Sequence, residues 1–176
     1  MKKLLAVIFI FVTASSFSQS KPAATLKSIL LEQLKTTHNV EDWFVPVNIA
    51  IDGLTPEQAS WKDSSGNHSI AQLVNHLIFW DSEQLAKFKG EKPAPYSGDN
   101  TETFTGLDKY AWDASVKRID SVLTAFEKAI EAADDAKLKT WYSAIAHVGT
   151  HNAYHTGQII YIRKMRGNWN PDKGVK

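Results

Sequence analysis

Four long segments of this chain repeat their apolar side chains every three or four residues, and this helical period constrains the fold more than any other feature. The segments cover about residues 23–51, 70–89, 108–130 and 140–166. The chain contains no convincing pair of segments with the alternating pattern of β-strands. Four amphipathic helices in one chain predict an all-α four-helix bundle.

Local signals mark where several of these helices begin, break and end. Ser69 is followed three residues later by a glutamine, which is the capping-box pattern, and Gly90 is a natural stop for the second helix. Gly167 plays the same part for the last helix. Pro46 lies inside the first segment, so we expect a kink or a break near Val45.

A long connection joins the second segment to the third. Its sequence, EKPAPYSGDNTETFTG, contains two prolines and shows no apolar period. Connections of this length in a compact domain usually cross over the fold or line a site. We therefore expect a long crossover connection between the second and third helices of the bundle.

The N-terminal sequence, MKKLLAVIFIFVTASSFSQS, has the three regions of a Sec-type secretory signal. Two lysines precede an apolar run from Leu4 to Val12, which is too short to span a bilayer as a helix, and small residues follow. We expect cleavage after Ser18, export to the periplasm or the medium, and no stable membrane insertion afterwards. Residues 19–176 then form a single domain. An uncleaved N-terminal anchor is the alternative.

The charge balance argues against nucleic acid as a partner. The full chain has 20 basic and 19 acidic residues, and loss of residues 1–18 removes Lys2 and Lys3 and no acid. The mature chain therefore has 18 basic and 19 acidic residues and a formal charge of −1. Such a surface lacks the basic footprint of a nucleic-acid-binding protein. The absence of cysteine excludes a disulfide scaffold and a c-type haem.

Histidines in two segments predict a metal site. In the stretch AHVGTHNAYHTGQIIYIRK, His151 and His155 lie four residues apart, so on a helix their side chains leave the same face. His76 lies on the apolar side of the second segment, between Leu73 and Trp80. Three imidazoles from two helices hold a divalent cation and leave a coordination position free, as catalytic sites do. The alternative is a set of core histidines satisfied by hydrogen bonds.

Other side chains near this site are expected to line it or to support its ligands. His147 extends the histidine column by one turn, but its angular drift favours a supporting or partly exposed position. Glu83 is the one carboxylate to test as a general base, although pairing with Lys87 four residues later is the simpler expectation. His38 and His68 are expected at the surface. The candidates for pocket or supporting roles are His147, Trp80, Asn152, Tyr154 and Gln158.

Two familiar kinds of helical metal site do not fit the sequence. Zinc proteases have glutamate directly after the first histidine of the pair, as general base, and this chain has Asn152 there. Di-iron bundles need Glu-x-x-His motifs, and the chain contains none. Gly157 lies in the middle of the last helix, where glycine costs about 1 kcal/mol relative to alanine. We expect close packing against a neighbouring helix there, rather than access for a ligand.

The stretch SIAQLVNHLIFW, followed far downstream by HNAYHTGQII, resembles the DinB/YfiT-like superfamily of metal-binding four-helix bundles. GLTPEQASWK looks like that family's turn between its first two long helices, and the similarity covers about residues 26–167. The resemblance implies one metal ligand on the second helix and two on the last, which fall on His76, His151 and His155. The family's common ending is His-Arg-Gly-Gln, and Thr156 stands in place of its arginine here.

The reaction stays open between several alternatives. Members that are similar to this chain include thiol S-transferases and thiol-dependent isomerases, and many others are described as metal-dependent hydrolases. Because thiol cosubstrates are mainly cytosolic and this chain carries an export signal, we favour a metal-dependent hydrolase with a small-molecule substrate. A bundle that binds metal or ligand without turnover is the other alternative. Imidazole suits zinc, nickel, copper and iron alike, and bundles of this family often pair as homodimers.

Overall fold

The structure is a computed structural model that describes residues 23–106 and 111–174, and all regular elements in these residues are helical. The predicted all-α fold is confirmed. The predicted signal peptide, residues 1–18, lies outside the described residues. A 3-10 turn, Asn100–Thr103, lies between the fourth and fifth helices. The helices are α1 (Leu26–His38), α2 (Val47–Ile51), α3 (Pro56–Ser60), α4 (Ile70–Lys89), α5 (Trp112–Ala132) and α6 (Asp135–Met165).

The four long helices pack around one apolar core. α1 and α4 each contact both α5 and α6, so every long helix has two long neighbours. The short helix α2 packs on α5 and α6, and α3 packs on α4. No helix within the described ranges has the length and hydropathy that a membrane crossing requires. The largest fully buried side chains of the core include Leu34, Ile70, Leu77, Phe88, Trp112, Ile119, Phe126 and Ile145.

The first predicted helix is two helices in the structure. α1 ends at His38, and an irregular loop of residues 39–46 leads to α2 at Val47. The break therefore begins earlier than the expected position near Val45. Pro46 adopts an extended conformation (φ −71°, ψ 161°) directly before α2, and a proline also disfavours helical backbone in the residue that precedes it.

Both ends of α4 lie where the capping residues predicted them. The Ser69 hydroxyl accepts a hydrogen bond from the backbone N–H of Gln72 (3.2 Å), and the Gln72 side chain accepts one from the backbone N–H of Ser69 (3.0 Å). Gly90 ends the helix with φ 78°, a left-handed conformation that favours glycine. These contacts fix the start and the end of the helix that carries His76.

The last helix begins five residues earlier than expected. The predicted start was Thr140, but Asp134 caps the helix by accepting a hydrogen bond from the backbone N–H of Lys137 (2.8 Å). The helix ends at Met165, close to the predicted stop. For α5 the predicted start near Asp108 lies outside the described residues, and the described helix begins at Trp112.

His38 was expected at the surface, and that prediction is wrong. Its ring is fully buried, with Nδ1 2.6 Å from Glu127 Oε1 and Nε2 3.0 Å from Asp120 Oδ1. The amide nitrogen of Asn48 also donates to Asp120 (2.6 Å). The polar residues around His38 in the sequence suggested exposure, whereas its partners come from α5, far along the chain.

Candidate metal centre

Three histidines converge where α4 packs against α6. The ring centroids of His76, His151 and His155 lie 4.6–5.0 Å from one another. One nitrogen from each ring lies within 4.8 Å of the other two. His76 and His155 are buried, and His151 is partly exposed. The trio predicted from spacing is thus brought together and is positioned to bind a metal ion.

Hydrogen bonds at Nδ1 orient two of the three rings. The Thr103 hydroxyl donates to the backbone carbonyl of Asn100 (2.7 Å), so its oxygen is left to accept from His76 Nδ1, 2.5 Å away. The side-chain carbonyl of Gln158 accepts from His155 Nδ1 at 2.7 Å. A proton on Nδ1 leaves a free lone pair on Nε2 of both rings, which is the lone pair that a metal ion binds.

The spacing of the ring nitrogens fits a divalent cation. His76 Nε2 and His151 Nε2 lie 3.1 Å apart. A tetrahedral ion with imidazole nitrogens at about 2.0–2.1 Å holds two of them about 3.3 Å apart. The two rings are therefore already close to the geometry of a ligand pair.

Burial keeps these imidazoles neutral, which is the form that binds metal. Burial, together with the neighbouring His155 and His151, lowers the pKa of His76 to about 3. Burial and the proximity of His155 lower the pKa of His151 to about 4. Burial also lowers the pKa of His155, against the opposing effect of its hydrogen bond to Gln158. At neutral pH no imidazolium proton has to leave before a cation binds.

The trio lines a cavity of about 830 Å³ between α4, α6 and the crossover segment. Aromatic and amide side chains form much of its wall, among them Trp80, Asn100, Phe104 and Tyr154. No lysine or arginine is found among the described residues that line it. The cavity is large enough for a small organic molecule beside the histidines.

The crossover segment, residues 91–106, supplies one wall of this cavity, as its length predicted. The ring of Phe104 is stacked on His76 at a centroid distance of 3.9 Å and on the exposed His68 at 3.8 Å. The indole N–H of Trp80 donates to the side-chain carbonyl of Asn100 (3.2 Å). These contacts hold the segment over the histidines and restrict the movement of the His76 ring.

A buried carboxyl group in the same cavity wall was not singled out from the sequence. Asp81 on α4 is 1% exposed, and the amide nitrogen of Asn152, turned towards it, lies 3.2 Å from both carboxyl oxygens. Burial raises the pKa of Asp81 well above its usual value, against the opposing effect of this hydrogen bond. A sequence signal existed, because Leu77 and Leu85 flank Asp81 at four-residue spacing on the apolar face.

The other predicted residues lie in different surroundings. His147 is exposed and lines the cavity, and its Nδ1 lies 2.8 Å from a backbone carbonyl of its own helix rather than near the trio. Tyr154 is exposed and packs edge-on against His155 with ring centroids 4.9 Å apart. Glu83 forms an ion pair with Lys87 (2.5 Å) and is not among the described residues that line the cavity.

Comparison with known proteins identifies the family. The sequence model of the DinB superfamily matches residues 47–159, which is more than half of the chain and includes all three histidines. No curated protein and no solved structure matches the chain. The match covers the whole of α4 and most of α6, the two helices that form the histidine site. The chain therefore belongs to the DinB superfamily, as the motifs around its histidines predicted.

Proposed function

We propose that the protein is an exported metal-dependent hydrolase that acts on a small molecule at the three-histidine site. The observation that supports this most strongly is the convergence of three neutral imidazoles, from α4 and α6, in the wall of a cavity of about 830 Å³. Three protein ligands leave a coordination position free, whereas closed structural sites use four. The free position and the adjoining cavity favour chemistry over a purely structural role.

The residues of the proposed site have three separate roles: they hold the cation, support its ligands or form the cavity wall. His76, His151 and His155 would hold the cation, and Thr103 and Gln158 fix the protonation of two of these rings. When bound, a divalent cation supplies a Lewis acid that polarises a substrate carbonyl or activates water. The aromatic side chains of the cavity wall offer an apolar surface for the substrate beside the histidines. Zn²⁺ and Ni²⁺ are the ions to test first, because both bind imidazole well.

Export is supported by the N-terminal sequence. Residues 1–18 carry the charged, apolar and small-residue regions of a secretory signal in the required order. When the full chain is expressed in a Gram-negative bacterium, the periplasmic fraction should contain a protein whose intact mass lacks these residues. Retention of the full-length chain in the cytoplasm would contradict this part of the proposal.

The enzymatic proposal is tested on the purified mature chain. Bound Zn²⁺ and Ni²⁺ are quantified, and ester, amide and thiol-transfer substrates are assayed with and without a chelator. Hydrolysis that stops on chelation and returns with the metal is the expected result. Turnover only with a low-molecular-weight thiol would identify a thiol transferase, and stoichiometric metal without turnover a binding protein. A chain that binds neither ion overturns the proposal.

Two histidine variants on the same helix provide a matched comparison. His151→Ala removes a proposed ligand, so metal affinity should fall by more than the roughly 10–100-fold that loss of a supporting partner costs. His147→Ala removes a ring that bonds to its own helix, so metal affinity should stay near that of the wild type. Competition titration with a chromogenic chelator measures both. Equal losses in the two variants would count against the assigned trio.

A further inference from the structure

A second groove, of about 530 Å³, adjoins the metal cavity. It lies between the C-terminal half of α6 and the loop of residues 61–68. Tyr154 lines both the groove and the metal cavity, and Gln158, which bonds to His155, lines the groove. The groove is therefore next to the histidine site, with a shared side chain between the two spaces.

The groove has somewhat more apolar and aromatic surface than polar surface, and its polar part includes amide, imidazole and hydroxyl groups. Tyr161 and Met165 are 64% and 51% exposed in it, and Trp61 forms the opposite side with Arg166 packed 4.4 Å from its ring centroid. Asp63 is the one acidic residue among the described lining residues, and its carboxylate already accepts hydrogen bonds from Ser65 and Asn67. No lysine or arginine lines the groove within the described ranges. Such surface fits an uncharged apolar or aromatic group.

Gly157 lies in this groove without a packing reason to be glycine. A Cβ placed there would have no surrounding heavy atom within 4 Å, so the expectation of close packing against a neighbouring helix is wrong. The residue is inside the regular helix α6, where glycine costs about 1 kcal/mol relative to alanine. Its missing side chain instead leaves the groove open.

We propose that this groove is a second compartment of the binding site, which takes the uncharged apolar or aromatic part of a ligand whose polar end lies at the three histidines. The inference rests on the proposed function in one respect, because a metal ion held by the histidines anchors the polar end. Tyr154, shared by both compartments, is the side chain over which such a ligand passes.

A pair of hydroxamates measures the contribution of the groove. Acetohydroxamate carries only the metal-binding group, and N-hydroxy-4-phenylbutanamide adds an apolar tail with an aromatic end. Calorimetric titration of the Zn²⁺-loaded mature chain gives both dissociation constants. The tailed compound should bind roughly tenfold more tightly or better, because its tail leaves water for apolar surface.

Substitutions of two glycines on α6 separate binding from folding. Gly157→Leu fills the groove and should reduce the advantage of the tailed compound to within about twofold, with acetohydroxamate binding unchanged. Its melting temperature should not fall, since leucine is a better helix former than glycine. Gly157→Ala should weaken the advantage less. Gly149→Ala is the matched control, because its Cβ would make an ordinary 3.7 Å contact with Gln33 and it lines neither space.

The outcomes distinguish this inference from the proposed function. Suppose that a chelator abolishes the binding of acetohydroxamate, but Gly157→Leu still binds the tailed compound roughly tenfold more tightly than acetohydroxamate. The second compartment is then overturned, and the metal site stands. If neither hydroxamate binds, or binding ignores the chelator, the metal site and this inference both fail. Sedimentation that shows a wild-type dimer and a monomeric Gly157→Leu would make the groove an interface between two copies of the chain, which also overturns it.

Discussion

At the scale of single residues, Asp81 holds a carboxyl group where its charged form is costly. Burial between α4 and α6 raises its pKa well above the usual value. The unfolded chain releases this proton as the pH rises past about 4, whereas the folded chain keeps it. The free energy of unfolding therefore falls as the pH rises from the pKa of the unfolded chain towards that of the folded chain. Asp81→Asn cannot ionise, and its stability relative to the wild type should therefore grow as the pH rises above about 4, until the folded chain also releases the Asp81 proton. The gain is about 1.4 kcal/mol for each pH unit by which folding raises the pKa.

Urea unfolding at several pH values measures this difference directly. Asp42→Asn makes the same chemical change at an exposed position in the loop between α1 and α2, and serves as the control. The control should keep a constant stability difference from the wild type. A constant difference for Asp81→Asn as well would show that folding does not retain the Asp81 proton.

His38 links α1 to α5 through buried hydrogen-bond contacts between its ring and two acidic side chains. Its Nδ1 lies 2.6 Å from Glu127, a residue that is only 8% exposed. His38→Ala leaves this carboxylate buried without its partner, so the free energy of unfolding should fall by about 3 kcal/mol. The double variant His38→Ala/Glu127→Ala should lose less than the sum of the single variants, as measured by urea unfolding. Strictly additive losses would show that the two side chains do not stabilise each other.

At the scale of elements, helix ends were predictable where the signal lies next to the backbone that it caps. Ser69 determines the start of α4 and Gly90 its end, because each residue acts on the helical turn next to it. The end of α1 was not predictable in this way. Val45, Asn48 and Ile51 keep the helical spacing across the boundary between the loop of residues 39–46 and α2, and Val45 is buried although the loop backbone is not helical. The period reports burial there, and burial does not require a helix.

The crossover segment should control metal affinity through one hydroxyl group. Thr103 accepts from His76 Nδ1 and is fixed by its own bond to Asn100. Thr103→Val keeps the shape and removes the acceptor, so the ring loses its preferred protonation and orientation. Zn²⁺ affinity should fall roughly 10–100-fold, as measured by competition with a chromogenic chelator. Thr105→Val, on the same segment but with an exposed side chain, should leave the affinity unchanged, and an equal loss there would refute a specific role for Thr103.

At the scale of the whole molecule, the sequence predicted the histidine trio but not the groups that support it. His151 and His155 share a helix, and His76 lies on the apolar face of another, so helical geometry alone brings them towards a common centre. Thr103 and Phe104 belong to the crossover segment, where Thr103 ends the 3-10 turn and Phe104 follows it. Its course depends on contacts made far along the chain, such as the hydrogen bond from the Gln72 side chain to the Phe104 carbonyl (3.0 Å). No local pattern encodes which residue of such a segment faces a histidine.

Metal binding should stabilise the whole bundle, because the ligands come from two helices that separate on unfolding. An ion that binds only the folded chain, at about 100 times its dissociation constant, adds about 2.7 kcal/mol to the free energy of unfolding. For a domain of this size that corresponds to a rise in melting temperature of roughly 5–10 °C. Scanning calorimetry of the mature chain with Zn²⁺ and with a chelator measures the shift. His151→Ala should lose it and His147→Ala should keep it.

His151→Ala is compared with His147→Ala because unfolded chains also bind metal. The chain has six histidines, and any affinity of the unfolded state for Zn²⁺ reduces the shift without reporting on the folded site. Each variant removes one of the six, so the unfolded chain keeps the same number of histidines in both. A loss of the shift in His151→Ala alone therefore reports mainly on the folded arrangement on α6. Shifts of equal size in His151→Ala and the wild type would place the stabilising ion at a site other than the three histidines.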